Sequence, residues 1–116
     1  MLNIAVFVSG GGTNLQALID AENRGEIKNG KITFVLASNE NAYALERAKK
    51  AGIETAVVSR KSFETKQDYD KAVLEVLDGK NIDLIVLAGF LSILGSDLIK
   101  KYENKIINVH PSLIPI

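Results

Sequence analysis

Residues 4–19 read IAVFVSGGGTNLQALI, and this stretch decides the fold of the chain. An apolar run of strand length, residues 4–8, leads through Gly10, Gly11 and Gly12 into a segment with leucine and isoleucine at helical spacing. The strand shows no alternation with polar residues, which is typical of strands buried on both faces of a parallel sheet. We therefore expect a parallel strand followed by a helix that packs on the sheet.

Four more apolar runs follow in the same manner, each ending in a polar or glycine-containing turn. The five predicted strands are residues 4–8, 32–37, 55–58, 84–88 and 106–109. Segments with helical periodicity separate them, so the order of elements is βαβαβαβαβ. This order predicts an α/β fold: an open, parallel, twisted sheet with helices on both faces, as in Rossmann-like proteins.

Polar residues near the predicted helix starts indicate how the helices begin. Hydroxyl and carboxamide oxygens accept hydrogen bonds from the free N–H groups of a first helical turn. The expected capping residues are Thr13 and Asn14 for the first helix, Ser62 or Thr65 for the third, and Ser96 for the fourth. The second helix is predicted over residues 41–51, because Gly52 is a natural C-terminal residue.

The composition excludes several classes of protein. The chain has 116 residues, no cysteine, one histidine, and fourteen basic and fourteen acidic residues. A chain of this length allows one compact core, so we do not expect two full domains. The lack of cysteine excludes disulfide frameworks, thiolate zinc sites and cysteine nucleophiles, and one histidine cannot build a multi-histidine metal site.

The charge balance and the hydropathy limit the partners. Zero net charge gives no electrostatic reason to bind nucleic acid or an anionic membrane. The sequence has no long apolar stretch and no cationic leader, so we expect a cytoplasmic protein that acts on small molecules. Residues 112–116 form an apolar tail that no further helix covers, and we expect the chain to be the first part of a longer domain, truncated after the fifth strand.

The three glycines lie where a phosphate can bind. Glycine lets the backbone approach a ligand closely, and free N–H groups at a helix N-terminus attract an anion. The loop lacks the lysine of a Walker A loop, and Leu15 stands where the dinucleotide fingerprint has its third glycine. Two interpretations stay open: a phosphate site, or glycines that only form a tight turn between strand and helix.

Asn108 and His110 are two residues apart at the carboxyl end of the last predicted strand, so their side chains are expected on one side. Ligands of open parallel sheets bind at this end of the strands. A carboxamide beside an imidazole can stabilise an oxyanion at a carbonyl under attack, while the imidazole transfers a proton. The alternative is a histidine that only makes structural hydrogen bonds.

Residues 88–94 are apolar, although they follow a strand where a connecting loop is expected. Loops are usually polar and exposed. The segment either lines a pocket for a flat ligand or forms a buried turn beneath the fourth helix.

The sequence resembles the phosphoribosylglycinamide formyltransferase family, folate-dependent enzymes of purine biosynthesis. The matching motifs span the chain in the family's order. They are residues 8–16 (VSGGGTNLQ), 45–48 (LERA), 51–53 (AGI), 87–90 (LAGF) and 107–115 (INVHPSLIP). The resemblance implies the formyltransferase fold, with residues 1–116 as the nucleotide-phosphate-binding amino-terminal part of a single domain.

The resemblance also implies a reaction and its site residues. A formyl group would pass from 10-formyltetrahydrofolate to the amine of phosphoribosylglycinamide, with no metal required. Gly12, Thr13 and Asn14 would bind the phosphate of the acceptor. Asn108 would hold the formyl oxygen, and His110 would act as general acid and charge stabiliser.

The resemblance implies a folate pocket as well. Its residues would be Lys66, Leu91, Ser92, Ile93, Leu94 and Asn108. Ser92 departs from the family, in which many members have arginine. The family's catalytic aspartate lies in a loop beyond Ile116, so we expect the 116-residue chain to be inactive alone.

Two alternatives to the transferase remain. Formyltetrahydrofolate deformylase shares the histidine segment but hydrolyses the same folate, and it normally carries a regulatory domain before its catalytic part. A non-catalytic module that binds a phosphorylated nucleotide is the second alternative. The oligomeric state stays open, with a homodimer as one alternative.

Overall fold

A computed structural model describes residues 1–90 and 94–109 of the chain. The five strands are β1 (Leu2–Val8), β2 (Gly30–Ala37), β3 (Glu54–Val57), β4 (Leu84–Ala88) and β5 (Ile106–Val109). The helices are α1 (Thr13–Asn23), α2 (Ala44–Lys50), α3 (Lys66–Leu77) and α4 (Ser96–Lys101), with a 3₁₀ turn at Arg60–Ser62. The predicted alternation of strands and helices is confirmed, and the 3₁₀ turn was not predicted.

The strands form one sheet in the order β3-β2-β1-β4-β5, and every neighbouring pair is parallel. The chain moves outward from β1 through β2 to β3 and then crosses to the other side of β1 for β4 and β5. The strand order therefore reverses between β1 and β4. The loops that leave the carboxyl ends of these two strands flank the crevice in which open α/β sheets bind ligands.

Helices cover both faces of the sheet, as predicted. On one face, α1 and α2 pack on a core that includes Val6 and Val35. On the other face, Tyr69 and Val73 of α3 pack with Leu98 of α4 on the second core. Because successive strand residues alternate between the faces, the near-continuous apolar runs serve both cores.

The helix starts confirm one predicted cap and contradict another. At α3, Thr65 Oγ1 accepts a hydrogen bond from the Asp68 N–H at 3.1 Å, which selects Thr65 over Ser62. At α1, the prediction that Thr13 and Asn14 supply caps is wrong. The helix begins at Thr13 itself, Gly12 occupies the capping position with a φ of 82°, and no side chain of the described residues caps it.

The predicted Ser96 cap of α4 is also wrong. Ser96 is the first helical residue, and Gly95 occupies the capping position. The acceptor comes from α3: the Asp70 carboxylate accepts hydrogen bonds from the Gly95 N–H at 3.0 Å and the Leu98 N–H at 2.8 Å. A carboxylate from another helix therefore does what a local serine was expected to do.

In the ranges 1–90 and 94–109, we find no helix that is long and apolar enough to cross a membrane.

Candidate functional site

The carbonyl groups of the glycine-rich loop are hydrogen-bonded to the segment that follows β2. Three hydrogen-bond donors of this segment reach the loop from residues that lie thirty or more positions later in the chain. They are Asn39 Nδ2 to Ser9 O at 2.6 Å, the Ala44 N–H to Gly10 O at 3.2 Å, and Arg47 Nε to Gly11 O at 2.8 Å. The next carbonyl, that of Gly12, accepts the Gln16 N–H of α1 at 2.8 Å. Four consecutive carbonyls are thereby satisfied within the protein.

The N–H groups of the same loop are not satisfied in this way. Within residues 1–90 and 94–109, no acceptor bonds the backbone N–H of Gly10, Gly11 or Gly12. The first turn of α1 also contains no acidic residue. A helix N-terminus carries partial positive charge, and free N–H groups there form an anion site. The loop therefore presents donors without competing acceptors.

The three glycines differ in what the fold requires of them. Gly12 has a positive φ, and a Cβ built on it would lie 2.6 Å from the Ala44 Cβ, so packing alone demands glycine. A Cβ on Gly10 or Gly11 would meet nothing within 4 Å, and neither residue has a positive φ. The tight-turn interpretation accounts for Gly12 and leaves Gly10 and Gly11 unexplained. Open space for a ligand accounts for Gly10 and Gly11.

The loops after β1 and β4 meet where the strand order reverses. Asn14 Nδ2 lies 3.9 Å from the position that a Cβ on Gly89 would take, and Gly89 has a φ of 72°. Asn14 is half-buried, and its carboxamide has no hydrogen-bond partner among the residues that the structure describes. Thr13 is exposed beside it. The predicted phosphate residues therefore border the crevice together.

Asn108 is aligned in the sheet with one residue on each of the strands β4 and β1. It pairs in register with Leu87, which pairs with Phe7 at the centre of the sheet. Ile106 packs into the core beneath α3 and α4, so Asn108, two residues later, lies on the same face of β5. Its side chain is exposed. His110 falls outside the described residues, so its predicted place beside Asn108 stays a prediction.

Two of the predicted folate residues line one cavity of about 440 Å³ between α3 and the start of α4. Lys66, the first residue of α3, is exposed at this cavity. Leu94 is half-buried and packs against the core that contains Phe7. The other three residues of the predicted segment lie outside the described residues: Leu91, Ser92 and Ile93.

An aromatic contact lies at the start of the predicted folate segment. The ring centroids of Phe90 and Phe7 are 5.4 Å apart, and the rings meet at 62°. Edge-to-face aromatic pairs have this geometry. Phe90 packs against the core beneath α3 and α4, which agrees in part with the buried-turn interpretation of residues 88–94.

The sequence analysis missed two residues that support the loop and the start of α4, Arg47 and Asp70. Arg47 bonds a loop carbonyl 36 residues earlier in the chain, and Asp70 bonds an amide 25 residues later. Local patterns do not reveal such contacts. The LERA motif at residues 45–48 contains Arg47, but the motif gave no role for it.

Groups of three or more histidine, aspartate or glutamate side chains that could hold a metal ion are absent from residues 1–90 and 94–109.

The fold and the loop together define a class of protein. The family model described as Formyl transferase matches residues 2–116, so the chain belongs to the formyl transferase family. The resemblance found in the sequence is thereby confirmed.

Two curated relatives of the chain have the same name. Phosphoribosylglycinamide formyltransferase of Haemophilus influenzae is 45% identical to the chain over 115 residues, covering 99% of this chain and 54% of that protein. The protein of the same name from Escherichia coli is 40% identical over 114 residues, covering 98% of this chain and 53% of that protein. The chain spans about half the length of these curated relatives.

A solved structure confirms the predicted fold. Glycinamide ribonucleotide transformylase 1 from Geobacillus kaustophilus superimposes with a TM-score of 0.90 at 38% sequence identity, covering 99% of this chain and 61% of that chain.

Proposed function

We propose that residues 1–116 are the nucleotide-phosphate-binding part of a single formyltransferase domain, which transfers a formyl group from 10-formyltetrahydrofolate to the amine of phosphoribosylglycinamide. One observation carries this proposal: the glycine-rich loop has all four carbonyls bonded within the protein and presents free N–H groups at the crevice between β1 and β4. The shared name of the two curated relatives supports the choice of substrates.

The phosphate of the acceptor binds to the loop in this proposal. The N–H groups of Gly12, Thr13 and Asn14 donate hydrogen bonds to its oxygens, because they lie at the positive end of α1. The Thr13 hydroxyl and the Asn14 carboxamide are available as further donors. The open space at Gly10 and Gly11 admits the phosphate close to the backbone.

The formyl carbon lies beside Asn108 in this proposal. The acceptor amine attacks that carbon, and negative charge develops on the formyl oxygen. The Asn108 carboxamide donates a hydrogen bond to this oxygen. A donor that is already held in place where negative charge develops stabilises the transition state and so lowers the activation barrier. The bond between the formyl carbon and the folate nitrogen then breaks, the attacking amine loses a proton, and the folate nitrogen gains one, which leaves the formylated acceptor and tetrahydrofolate. His110 acts as the general acid beside Asn108, as the resemblance implies.

The folate binds along the segment after β4, and the described residues fit such a ligand at two points. Leu94 supplies an apolar wall, and the Lys66 ammonium at the same cavity suits an anionic tail. Leu91, Ser92 and Ile93 complete the wall in the proposal, and Asn108 contacts the same ligand. The folate, when bound, supplies the formyl group, and no metal takes part.

The decisive experiment follows a labelled formyl group of 10-formyltetrahydrofolate in three incubations: with phosphoribosylglycinamide, with its dephosphorylated form, and with no acceptor. It uses residues 1–116 and, in parallel, a longer natural chain that contains them. We expect the longer chain to transfer the label to the phosphorylated acceptor, and we expect the 116-residue chain to bind that acceptor, which calorimetry measures separately. The dephosphorylated acceptor serves as the matched control for the loop.

The same incubations separate the alternatives. A deformylase releases labelled formate whether or not an acceptor is present, and a binding module leaves the label on the folate. Either result in the longer chain contradicts the proposed transfer.

A further inference from the structure

Arg47 connects α2 to both sides of the glycine-rich loop. Its Nε donates a hydrogen bond to Gly11 O at 2.8 Å, and its Nη1 donates to Gln16 Oε1 on α1 at 3.3 Å. The guanidinium carbon lies 5.1 Å from the centroid of the ring of Tyr43, the residue just before α2. Three contacts in different directions therefore fix the orientation of this half-buried side chain.

The charge of Arg47 has no partner of opposite sign in the described ranges. Ion pairs there join Arg24 to Glu26 and Lys80 to Glu54, and no carboxylate pairs with Arg47. A guanidinium carries five N–H donors, of which the two described bonds use two. An arginine without a counter-ion beside free backbone N–H groups favours an anion at this place.

The contact with Gly11 O has a consequence for the backbone. In a peptide unit the carbonyl and the following N–H point in opposite directions. Because Arg47 holds the Gly11 carbonyl toward α2, the Gly12 N–H is directed the other way. In the same way, the hydrogen bond from the Ala44 N–H holds the Gly10 carbonyl toward α2, so the Gly11 N–H also points away from α2.

We propose that Arg47 is the positioning residue of the phosphate site: its guanidinium orients the Gly11 carbonyl so that the next N–H faces the phosphate, and its unpaired charge strengthens binding of the dianion. This inference rests on the proposed function, because it assigns the same loop to the phosphate of phosphoribosylglycinamide. It adds a residue that acts through the loop and needs no direct contact with the substrate.

The test measures the affinity of the 116-residue chain for phosphoribosylglycinamide by calorimetry, at several salt concentrations, for wild type, Arg47→Met and Arg47→Lys. We expect Arg47→Met to weaken binding about tenfold or more and to reduce the salt dependence, since one charge-assisted hydrogen bond and one charge are lost. We expect Arg47→Lys to restore the salt dependence and to leave most of the loss in affinity, because an ammonium lacks the two-pronged geometry of the guanidinium.

The matched control is Arg60→Met. Arg60 also donates to a backbone carbonyl, that of Phe63 at 3.1 Å, and also lies over a tyrosine ring, that of Tyr69 at 5.6 Å. Its guanidinium contacts the turn before α3 and, among the described residues, bonds no atom of the glycine-rich loop. We expect Arg60→Met to bind phosphoribosylglycinamide as the wild type does.

Each other outcome overturns the proposal. Wild-type affinity in Arg47→Met removes any role of the residue, and full recovery in Arg47→Lys shows that charge alone matters. An equal loss in Arg60→Met shows a general effect of removing an arginine. If the wild type itself does not bind the ligand, the proposed phosphate site fails and the inference fails with it.

A measurement on the wild type decides the question if Arg47→Met does not fold. The Nε–H resonances of Arg47 and Arg60 are followed by NMR while phosphoribosylglycinamide is added. We expect the Arg47 resonance to shift together with the Gly12 N–H, and the Arg60 resonance to stay in place. Movement of the Gly12 N–H without any movement at Arg47 overturns the proposal.

Discussion

Gly12 lies against Ala44 so closely that a Cβ on Gly12 would come within 2.6 Å of the Ala44 Cβ. The contact joins the start of α1 to the start of α2. It makes Gly12 a packing residue as well as a member of the loop, whereas Gly11 beside it is free of such contacts.

The first prediction concerns stability. Gly12→Ala is expected to lower the free energy of unfolding by about 2–4 kcal/mol, because it adds a clash to a left-handed backbone. Gly11→Ala is expected to change it by less than about 0.5 kcal/mol. Urea unfolding of both variants measures the difference, and equal destabilisation contradicts the distinction.

The second prediction concerns binding. Gly11→Val places a branched side chain in the open space beside the free N–H groups, so we expect affinity for phosphoribosylglycinamide to fall severely with little loss of stability. Calorimetry measures the first quantity and urea unfolding the second. Gly12→Val is a weaker test, because its clash with Ala44 confounds the two effects. Unaltered binding by a folded Gly11→Val protein shows that the loop does not bind the phosphate.

The third prediction concerns the buried Asp70 carboxylate, which is 1% exposed and caps α4. Asp70→Ala leaves the Gly95 and Leu98 N–H groups without acceptors, at an expected cost of about 1–3 kcal/mol for each buried group. Asp70→Asn keeps one acceptor oxygen and is expected to lose about half as much. Asp97→Ala is the control, since the exposed Asp97 offers only a dipole interaction of about 0.3–1 kcal/mol.

Hydrogen exchange locates the effect of Asp70. We expect faster exchange at the Leu98 N–H in Asp70→Ala, and unchanged exchange in the strand β1. Uniformly faster exchange over the whole sheet indicates a general loss of stability instead.

The fourth prediction concerns pH. Burial raises the pKa of Tyr102 above its ordinary value of 10.0, and the nearby charges of Asp78 and Asp83 raise it further. Well below pH 10.0 the folded and unfolded chains both keep the proton. Above it the unfolded chain releases the proton first, so the free energy of unfolding falls as pH rises through this range.

Urea unfolding across this alkaline range tests the sign. Tyr102→Phe is expected to show a weaker decline than the wild type, because one titrating group is removed. Identical declines in the two proteins contradict the assigned pKa direction.

The fifth prediction concerns the formyl site. In a longer natural chain that transfers the formyl group, Asn108→Ala is expected to reduce turnover on the order of 10²-fold to 10³-fold, since one donor to the developing oxyanion is lost. Affinity for phosphoribosylglycinamide is expected to stay the same, because Asn108 lies two strands from β1. Steady-state kinetics separates the two quantities, and undiminished turnover refutes the assigned role.

The strands could be predicted from the sequence because their signal is local. The runs at 84–88 and 106–109 match β4 and β5, and the other three start or end within two residues of the observed strands. Apolar side chains on both faces of a parallel sheet leave an uninterrupted apolar run, and no knowledge of neighbouring elements is needed to see it.

The supports of the site could not be predicted in this way. Thr65 was found because its acceptor role is confined to one turn, whereas Asp70 and Arg47 act across 25 and 36 residues. The wrong cap at Ser96 has the same cause: a serine before a helix fits the local rule, but a carboxylate from α3 already satisfies the N–H groups of that turn. Sequence patterns gave the position of the loop and missed the groups that shape it.

The carbonyl groups of the loop depend on a part of the chain that is synthesised later. Gly11 leaves the ribosome 36 residues before the arginine that holds its carbonyl. A nascent polypeptide that has produced only β1 and α1 therefore contains the whole glycine motif without its final shape. The glycine-rich loop reaches its final shape when the second βα unit docks. Amino acid changes in that unit can therefore alter the motif's function while every glycine is retained.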